Sequence, residues 1–291
     1  MGLIFFALIQ LFLFHAPQEV NVMSFNIRYG AANDGINKWD NRKEFVYETV
    51  KQESYDFIGV QEALHFQIQA INAELVDHNV FFRGRGWSPL TGEACGIFYS
   101  NAWEIIINES GTFWLSESPE IPASKSWDSS LPRIVTWAKF RNKTSNNFVY
   151  VYNTHFDHLG QKAREQSSKI IIKHISERPY DVPVILLGDF NASERSDAIK
   201  IIKTGISNGP VFFDPWNLLN PDAKERGTFN SWENRKNGSK IDYIFVPEGT
   251  KVLDAQILRQ TFNGRNSSDH YPVTAKLIMG SSFKNYSIQS E

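Results

Sequence analysis

One stretch of the chain changes abruptly from apolar to polar residues: ILLGDFNAS, residues 185–193. Its aliphatic start predicts a buried strand, and this strand leads directly into Asp189 and Asn191. Side chains alternate between the two faces of a strand, so both polar residues point to the same side as Ile185 and Leu187. A strand that brings a carboxylate and a carboxamide to one place either caps a turn or forms a functional site.

Apolar runs bounded by turn residues predict strands along most of the chain. The predicted strands are VNVMSFNI (20–27), DFIGVQE (56–62), a β-rich region at about 92–151 that ends in FVYVYNTHF, the IDYIFV segment, a segment at about 251–258, and PVTAKLIM.

Helical periodicity separates these strands in four places. Asp40 is predicted to cap a helix that carries Phe45, Val46, Thr49 and Val50 on one side, and Leu64, Ile68, Ile71 and Leu75 form a second apolar stripe. Two further helices are predicted at 160–177 and at 194–204, the latter capped by Ser193 and stopped by Gly205. Interspersed helices without a regular βα repeat favour an α+β fold with two packed sheets. Because no linker or repeat divides the chain, we expect a single domain at residues 18–280.

The N-terminus carries an uncharged, mostly apolar run from Gly2 to Phe14. It is short for a membrane span and is typical of the hydrophobic part of a signal peptide, so residues 1–17 predict a secreted or periplasmic protein. An uncleaved membrane anchor and a buried N-terminal segment are the alternatives. Residues 281–291 are interpreted as a polar C-terminal tail.

The composition is that of an ordinary globular protein, with 42% hydrophobic and 21% charged residues. The net charge of −2 provides no strong basic field of the kind that drives nonspecific DNA binding. A phosphate substrate remains compatible with this charge, because a bound metal ion can supply local positive charge. Cys95 is the only cysteine, which excludes an intramolecular disulfide, and its apolar context predicts a buried position.

Polar residues recur at the ends of several predicted strands. They are Asn26, Glu62, Asn153 with His155 on one face, Asp242, and Asp269 with His270 in a loop before the last strand. Each of these has an ordinary explanation by itself, such as a turn, a helix start or a solvated loop. Together they suit a hard divalent cation and a phosphate, since carboxylate and amide oxygens bind Mg²⁺ and histidines transfer protons.

The ordered set SFNIR, GVQE, NTHFDH, GDFNAS, IDYIFV and SDHYPV resembles the endonuclease/exonuclease/phosphatase (DNase I-like) superfamily, which includes nucleases, sphingomyelinases and inositol-phosphate phosphatases. The resemblance covers residues 20–278. It implies a four-layer α/β/β/α sandwich of two packed mixed sheets flanked by helices. It also implies a hydrolase that acts on phosphoric ester bonds.

The same resemblance assigns the metal and proton-transfer roles. Glu62 is expected to be the chief ligand of Mg²⁺ or Mn²⁺, with Asn26 beside it and Asp269 acting through a water molecule. His270, oriented by Asp242, is the expected base for the attacking water, and Asp189 is the rival base.

The phosphate itself is expected to contact three further residues: Asn153, His155 and Asn191. Glu93 is the candidate partner of His155, and Arg133 is the candidate for an additional phosphate contact.

The leading functional hypothesis is a phosphoesterase, acting as a monomer, whose substrate is a lipid, inositol or sugar phosphate. Trp87, Trp127 and Trp232 lie in loop-like surroundings and could contact such a substrate, and peripheral contact with a membrane is one option. A secreted DNase-like endonuclease is the alternative, although the charge does not favour nucleic acid as a partner. The second alternative is a non-catalytic binding protein on the same fold, which the complete set of expected catalytic residues disfavours.

Overall fold

A computed structural model describes residues 18–178, 182–206 and 209–279 of the chain. The expected signal segment at residues 1–17 and the polar tail at 281–291 lie outside the described residues. Within the described residues, the strands form two six-stranded mixed sheets.

The first sheet contains the strands nearest the two ends of the described chain. Its members are β1 (Gln18–Asn26), β2 (Phe57–Ala63), β3 (His78–Phe81), β4 (Ala94–Ser100), β11 (Lys251–Ile257) and β12 (Val273–Met279). Their order across the sheet is β11-β12-β1-β2-β4-β3. The pair β1 and β2 is parallel, whereas β1 and β12 are antiparallel.

The second sheet is formed mainly by the middle of the chain. Its members are β5 (Trp103–Trp114), β6 (Ile134–Asn142), β7 (Phe148–His155), β8 (Val184–Asp189), β9 (Phe212–Phe213) and β10 (Asp242–Pro247). Their order is β5-β6-β7-β8-β10-β9. Here β7 and β8 are the parallel pair, and β10 runs antiparallel to β8.

Helices cover the outer face of each sheet. The apolar sides of α1 (Lys43–Val50) and α2 (His65–Glu74) pack on the first sheet, and those of α3 (Gln161–Ser176) and α4 (Asp197–Thr204) pack on the second. The short helix α5 (Pro215–Leu219) contacts β10 and β11. A continuous apolar core lies between the sheets and includes Val22, Phe57, Phe140, Leu187 and Leu277. The predicted four-layer α/β/β/α sandwich is therefore confirmed.

Two helix starts differ from the sequence-based prediction. Asp40 lies in a single 3-10 turn, Trp39–Asn41, and α1 begins only at Lys43. The fourth helix begins at Asp197 rather than at 194, because the hydroxyl of Ser196 accepts the Ile199 N–H and provides the cap that was assigned to Ser193. Its end at Gly205 is as predicted, with a φ of 71° at that glycine.

Two further features of the chain concern burial and membrane contact. Cys95 is buried, as predicted. No helix among the described residues is long and apolar enough to cross a membrane.

Candidate active site

The polar strand ends meet because of how the strands are paired. In the parallel pair β1 and β2, Asn26 lies opposite Gln61, next to Glu62, and in the parallel pair β7 and β8, His155 lies opposite Asp189. Parallel strands end at the same edge of their sheet, so each pair presents its carboxyl end there. The antiparallel strand β10 begins at this edge, with Asp242 opposite Asp189. Both sheets therefore contribute side chains to one site.

Glu62 reaches the site through an irregular backbone. The pairing of β2 with β4 shifts between Val60 and Ala63, and Glu62 within this bulge has a left-handed φ of 60°. Such bulges redirect a side chain out of the regular alternation of a strand. The Glu62 carboxylate accepts the Tyr29 N–H at 2.8 Å and an N–H of the Asn26 side chain at 3.0 Å.

The side chain of Asn26 connects two acidic residues. Its Nδ2 donates to Glu62 Oε1 at 3.0 Å and to Asp189 Oδ2 at 2.9 Å, and its Oδ1 accepts the Arg28 N–H at 3.0 Å. The backbone N–H of Arg28 requires an acceptor and so fixes this orientation of the amide. Asn26 thus donates hydrogen bonds to the carboxylates, and the expectation that it also binds the metal stays a prediction.

Glu62, Asp189 and His270 form the cluster that could hold a metal ion, with ligand atoms that all lie within 4.8 Å of one another. The Glu62 carboxylate fits Mg²⁺ or Mn²⁺, because such ions need few protein ligands and keep several waters. Asp269 is nearby and buried, and its Oδ2 lies 3.6 Å from Arg28 Nε. This position is compatible with the expected indirect role of Asp269.

His270 and Asp242 form the expected pair. His270 Nδ1 lies 2.9 Å from Asp242 Oδ2 and donates to it, and His270 Nε2 lies 3.9 Å from Asp189 Oδ2. Burial lowers the pKa of His270, but the negative charges of Asp242 and Asp189 outweigh burial and hold that pKa well above its usual value. The pKa of Asp189 is raised, first by burial and then by the charge of Asp242.

His155 and Asp242 lie on opposite sides of Asp189, because β7 and β10 pair with opposite edges of β8. The side-chain N–H₂ of Asn191 donates to His155 Nε2 at 3.0 Å and to the Phe156 carbonyl at 3.0 Å. Burial lowers the pKa of His155 well below its usual value, and the positive charges of Arg133 and Arg85 lower it further. His155 is therefore neutral, with Nε2 as an acceptor. Asn191, expected at the phosphate, orients this imidazole.

Asn153 does not lie with the other predicted residues. Its side chain is fully buried, and Nδ2 donates to the carbonyls of Val60 at 2.9 Å and Gly96 at 2.7 Å. Its Oδ1 accepts Gln61 Nε2 at 2.7 Å. All of these partners belong to the first sheet, so Asn153 joins the two sheets. The expectation that Asn153 contacts phosphate is corrected, because no N–H of this amide remains for a ligand.

Glu93 and Arg133 lie beside His155. Glu93 Oε2 is 3.9 Å from His155 Nδ1 and 4.0 Å from Arg133 Nη1. Glu93 Oε1 is 2.6 Å from Arg85 Nη2. The structure thus places Glu93 next to His155, as expected, although it does so between two arginines.

Two charged residues in this region were not predicted. Arg28 donates to both oxygens of Asp34 at 2.9 Å, and its Nη1 lies 4.0 Å from Glu62 Oε2. Asp157 accepts five hydrogen bonds from loop residues around the site. Both lie inside quoted motifs, SFNIR and NTHFDH, and their charge within those motifs was the available signal.

The aromatic loop residues are placed differently from one another. Trp87 is 74% exposed in the loop between β3 and β4, which leads to Glu93. Trp232 is partly buried, with its ring 5.5 Å from the guanidinium of Arg42. Of these two, Trp87 is the more exposed.

A four-layer sandwich with acids, histidines and amides gathered at one edge of both sheets defines the phosphoesterase class of DNase I-like fold. The model of the Endonuclease/Exonuclease/phosphatase family matches residues 23–270. The chain belongs to this family. Its members are hydrolases that act on phosphate esters and generally depend on a divalent metal ion.

Solved structures of similar proteins cover nearly the whole chain. A family protein from Bacteroides vulgatus is 34% identical with a TM-score of 0.81, and the match covers 89% of this chain and 98% of that one. A mannosyl-6-phosphatase from Bacteroides thetaiotaomicron is 30% identical with a TM-score of 0.81 and is covered over its full length by 89% of this chain. Nocturnin from Drosophila melanogaster is 23% identical over 87% of this chain. The chain spans less than two thirds of the length of the curated relatives it matches.

Proposed function

We propose that the protein is a divalent-metal-dependent phosphoesterase that hydrolyses the phosphate ester of a small molecule. The observation that carries this proposal is the cluster of Glu62, Asp189 and His270, with His155 Nε2 3.4 Å from Asp189 Oδ2. Among lipid, inositol and sugar phosphates, we favour a sugar phosphate. The 30% identical mannosyl-6-phosphatase, which this chain matches along its whole length, supports that choice.

The metal ion, Mg²⁺ or Mn²⁺, would supply positive charge that polarises a phosphoryl oxygen and stabilises the leaving group. Glu62 fits as its carboxylate ligand, and Asp269 lies close enough to act through a water. Asn26 holds the carboxylates of Glu62 and Asp189 at a fixed separation, since it donates one hydrogen bond to each. This arrangement is set before any ligand binds, which lowers the cost of organising the site.

Asp189 takes the proton of the attacking water in this proposal. Its Oδ2 lies 3.4 Å from His155 Nε2 and 3.9 Å from His270 Nε2, so it is the acid at the centre of the site. His270 is held by Asp242 and donates its Nε2–H toward the phosphate as negative charge builds. His155 is kept in one orientation by Asn191.

The alternative of a DNase-like endonuclease receives no specific support from the described surface. The net charge of −2 leaves a nuclease without a general basic field. A non-catalytic binding protein is disfavoured because Glu62, Asp189, Asp242 and His270 are all present. Each of these side chains also contacts another residue of the site.

The proposal is tested by measuring phosphate release from sugar, inositol and lipid phosphates and hydrolysis of DNA, with Mg²⁺ or Mn²⁺ and with a chelator. We expect metal-dependent turnover of a sugar phosphate. Asp189→Asn should lower kcat by about 10²–10⁴-fold, since it removes the proton acceptor. Asp197→Asn, at the exposed start of α4, is the matched control. Turnover that survives the chelator, or full activity of Asp189→Asn, would contradict the mechanism.

A further inference from the structure

Arg133 is a buried cation whose hydrogen-bonding capacity is largely unused. The residue is 4% exposed and lies immediately before β6. Its Nη2 contacts the exposed His158 at Nδ1, 3.1 Å away. Its Nε and Nη1 make no hydrogen bond with any of the described residues.

The two carboxylates nearest to Arg133 are already committed to other donors. Asp157 Oδ2 is 3.7 Å from Arg133 Nε and accepts both N–H and O–H of Ser130 as well as the Leu131 N–H. Glu93 Oε2 is 4.0 Å from Arg133 Nη1, and the other oxygen of Glu93 pairs with Arg85. Neither carboxylate is within hydrogen-bond distance of the Arg133 guanidinium.

A buried charge costs folding free energy unless an anion with good geometry compensates it. Arg85 next to Arg133 also has a buried nitrogen, Nη1, with no hydrogen-bond partner among the described residues. Two guanidinium groups therefore share one glutamate on the His155 side of the site. A protein retains such an excess of donors where a ligand brings the missing anion.

We propose that Arg133 binds a terminal oxygen of the substrate phosphate and thereby makes the site select phosphomonoester dianions over phosphodiesters. The inference rests on the proposed function, since it concerns the same phosphate. A monoester offers three terminal oxygens and two negative charges, whereas a diester offers two oxygens and one charge. In a diester, the second ester group takes the place of the oxygen that would reach Arg133. The exposed imidazole of His158 leaves Nη2 when that oxygen arrives.

Arginine suits this role because its planar guanidinium binds phosphate through two parallel hydrogen bonds. The stability of the protein also distinguishes a binding role from a structural one. If Arg133 serves the ligand, removal of its uncompensated charge leaves the melting temperature unchanged or raises it. If Arg133 instead forms a structural ion pair with Glu93 or Asp157, its removal lowers the melting temperature.

The test compares p-nitrophenyl phosphate with its methyl diester in wild type, Arg133→Met and Arg133→Lys. We expect wild type to prefer the monoester, and Arg133→Met to lose about 10²-fold in kcat/KM on the monoester with little loss on the diester. Arg133→Lys should retain part of the preference for the monoester, because lysine keeps the positive charge but cannot form two parallel hydrogen bonds to the phosphate. Arg141→Met, near the other end of β6 and partly exposed, is the matched control and should keep the wild-type ratio.

Binding of inorganic phosphate and of dimethyl phosphate, measured by calorimetry with Mg²⁺ present, separates this inference from the proposed function. Arg133-dependent preference for inorganic phosphate without turnover of any ester would refute the hydrolase and support the anion selectivity. Ester turnover with an unchanged monoester preference in Arg133→Met would refute the selectivity alone. A wild type that prefers the diester, or a lower melting temperature of Arg133→Met with its preference retained, would also overturn it.

Discussion

At the scale of single residues, the site depends on side chains that orient other side chains. Asp242 is held in place by the Thr228 hydroxyl, which accepts its backbone N–H at 3.1 Å, and by Lys240, which donates to its carbonyl at 2.8 Å. Lys240 is itself buried in an ion pair with Asp214 at 2.8 Å. These contacts hold the backbone of Asp242, and its carboxylate in turn orients the imidazole of His270.

The substitution Asp242→Asn tests the importance of this orientation. An amide of the same shape cannot stabilise a charged imidazole, and it can turn its N–H₂ toward Nδ1, so we expect kcat to fall by about 10²–10⁴-fold. Initial rates on the best phosphate ester provide the measurement, with circular dichroism to check the fold. Asp254→Asn, on the exposed side of β11, is the control. Activity of Asp242→Asn within a factor of two of wild type would exclude a role for this pair.

At the scale of elements, the two sheets lie in close contact at Gly59. A Cβ at this position of β2 would lie 2.0 Å from Leu187 Cδ1 and 3.1 Å from Asn153 Cγ, both on the second sheet. The absence of a side chain at residue 59 lets Asn153 reach across to the carbonyls of the first sheet. The packing of β2 against β7 therefore supports the site from below.

The substitution Gly59→Ala should separate the sheets locally or distort Leu187. We expect the free energy of unfolding to fall by about 1–3 kcal/mol, as is usual when a methyl group is forced into a packed core. Urea denaturation measures this change. Gly111→Ala is the control, because its Cβ would lie at an ordinary 3.5 Å from Trp137 Nε1. Equal stability of the two variants would show that the sheets can adjust at residue 59.

The placement of Asn153 also shows how far the sequence could predict the site. The period of two correctly placed Asn153 and His155 on one face of β7, and it correctly placed Asp189 at the end of β8. Periodicity reports the face of a strand, but it does not report the depth. Asn153 lies two residues further from the end of β7 than His155. Its side chain therefore contacts the first sheet instead of reaching the site at the strand ends. Ser196 was missed as a cap for a related reason, since several Ser and Asp residues precede α4 and only the backbone decides among them.

At the scale of the whole molecule, the proposed metal site would couple ligand binding to stability. Glu62, Asp189 and Asp269 place three acids near one another, and the pKa of Asp189 and that of Asp269 are raised, with burial as the first cause for both. Clustered acids of this kind destabilise a protein in the absence of a counter-ion. A divalent ion that binds only the folded chain removes that repulsion.

Addition of Mg²⁺ or Mn²⁺ should therefore raise the melting temperature. At a concentration about 100-fold above Kd the gain is about 2.7 kcal/mol, which corresponds to several degrees for a domain of this size. Glu62→Gln should melt at or above the temperature of the metal-free wild type, because it removes one of the repelling charges, and should lose most of the metal-induced shift. Differential scanning fluorimetry over a range of metal concentrations measures both effects. An equal shift in wild type and Glu62→Gln would place the metal elsewhere.

The antiparallel pairing of β1 with β12 also affects the order in which the protein matures during synthesis. β1 lies between β2 and β12. It is synthesised early, but its pairing with β12 cannot form until one of the last strands of the described chain has been synthesised. Asp242, Asp269 and His270 are likewise translated after most of the second sheet, and chains fold progressively as they leave the ribosome. A nascent chain can thus complete the helices and most strands before it contains all the side chains of the proposed catalytic centre.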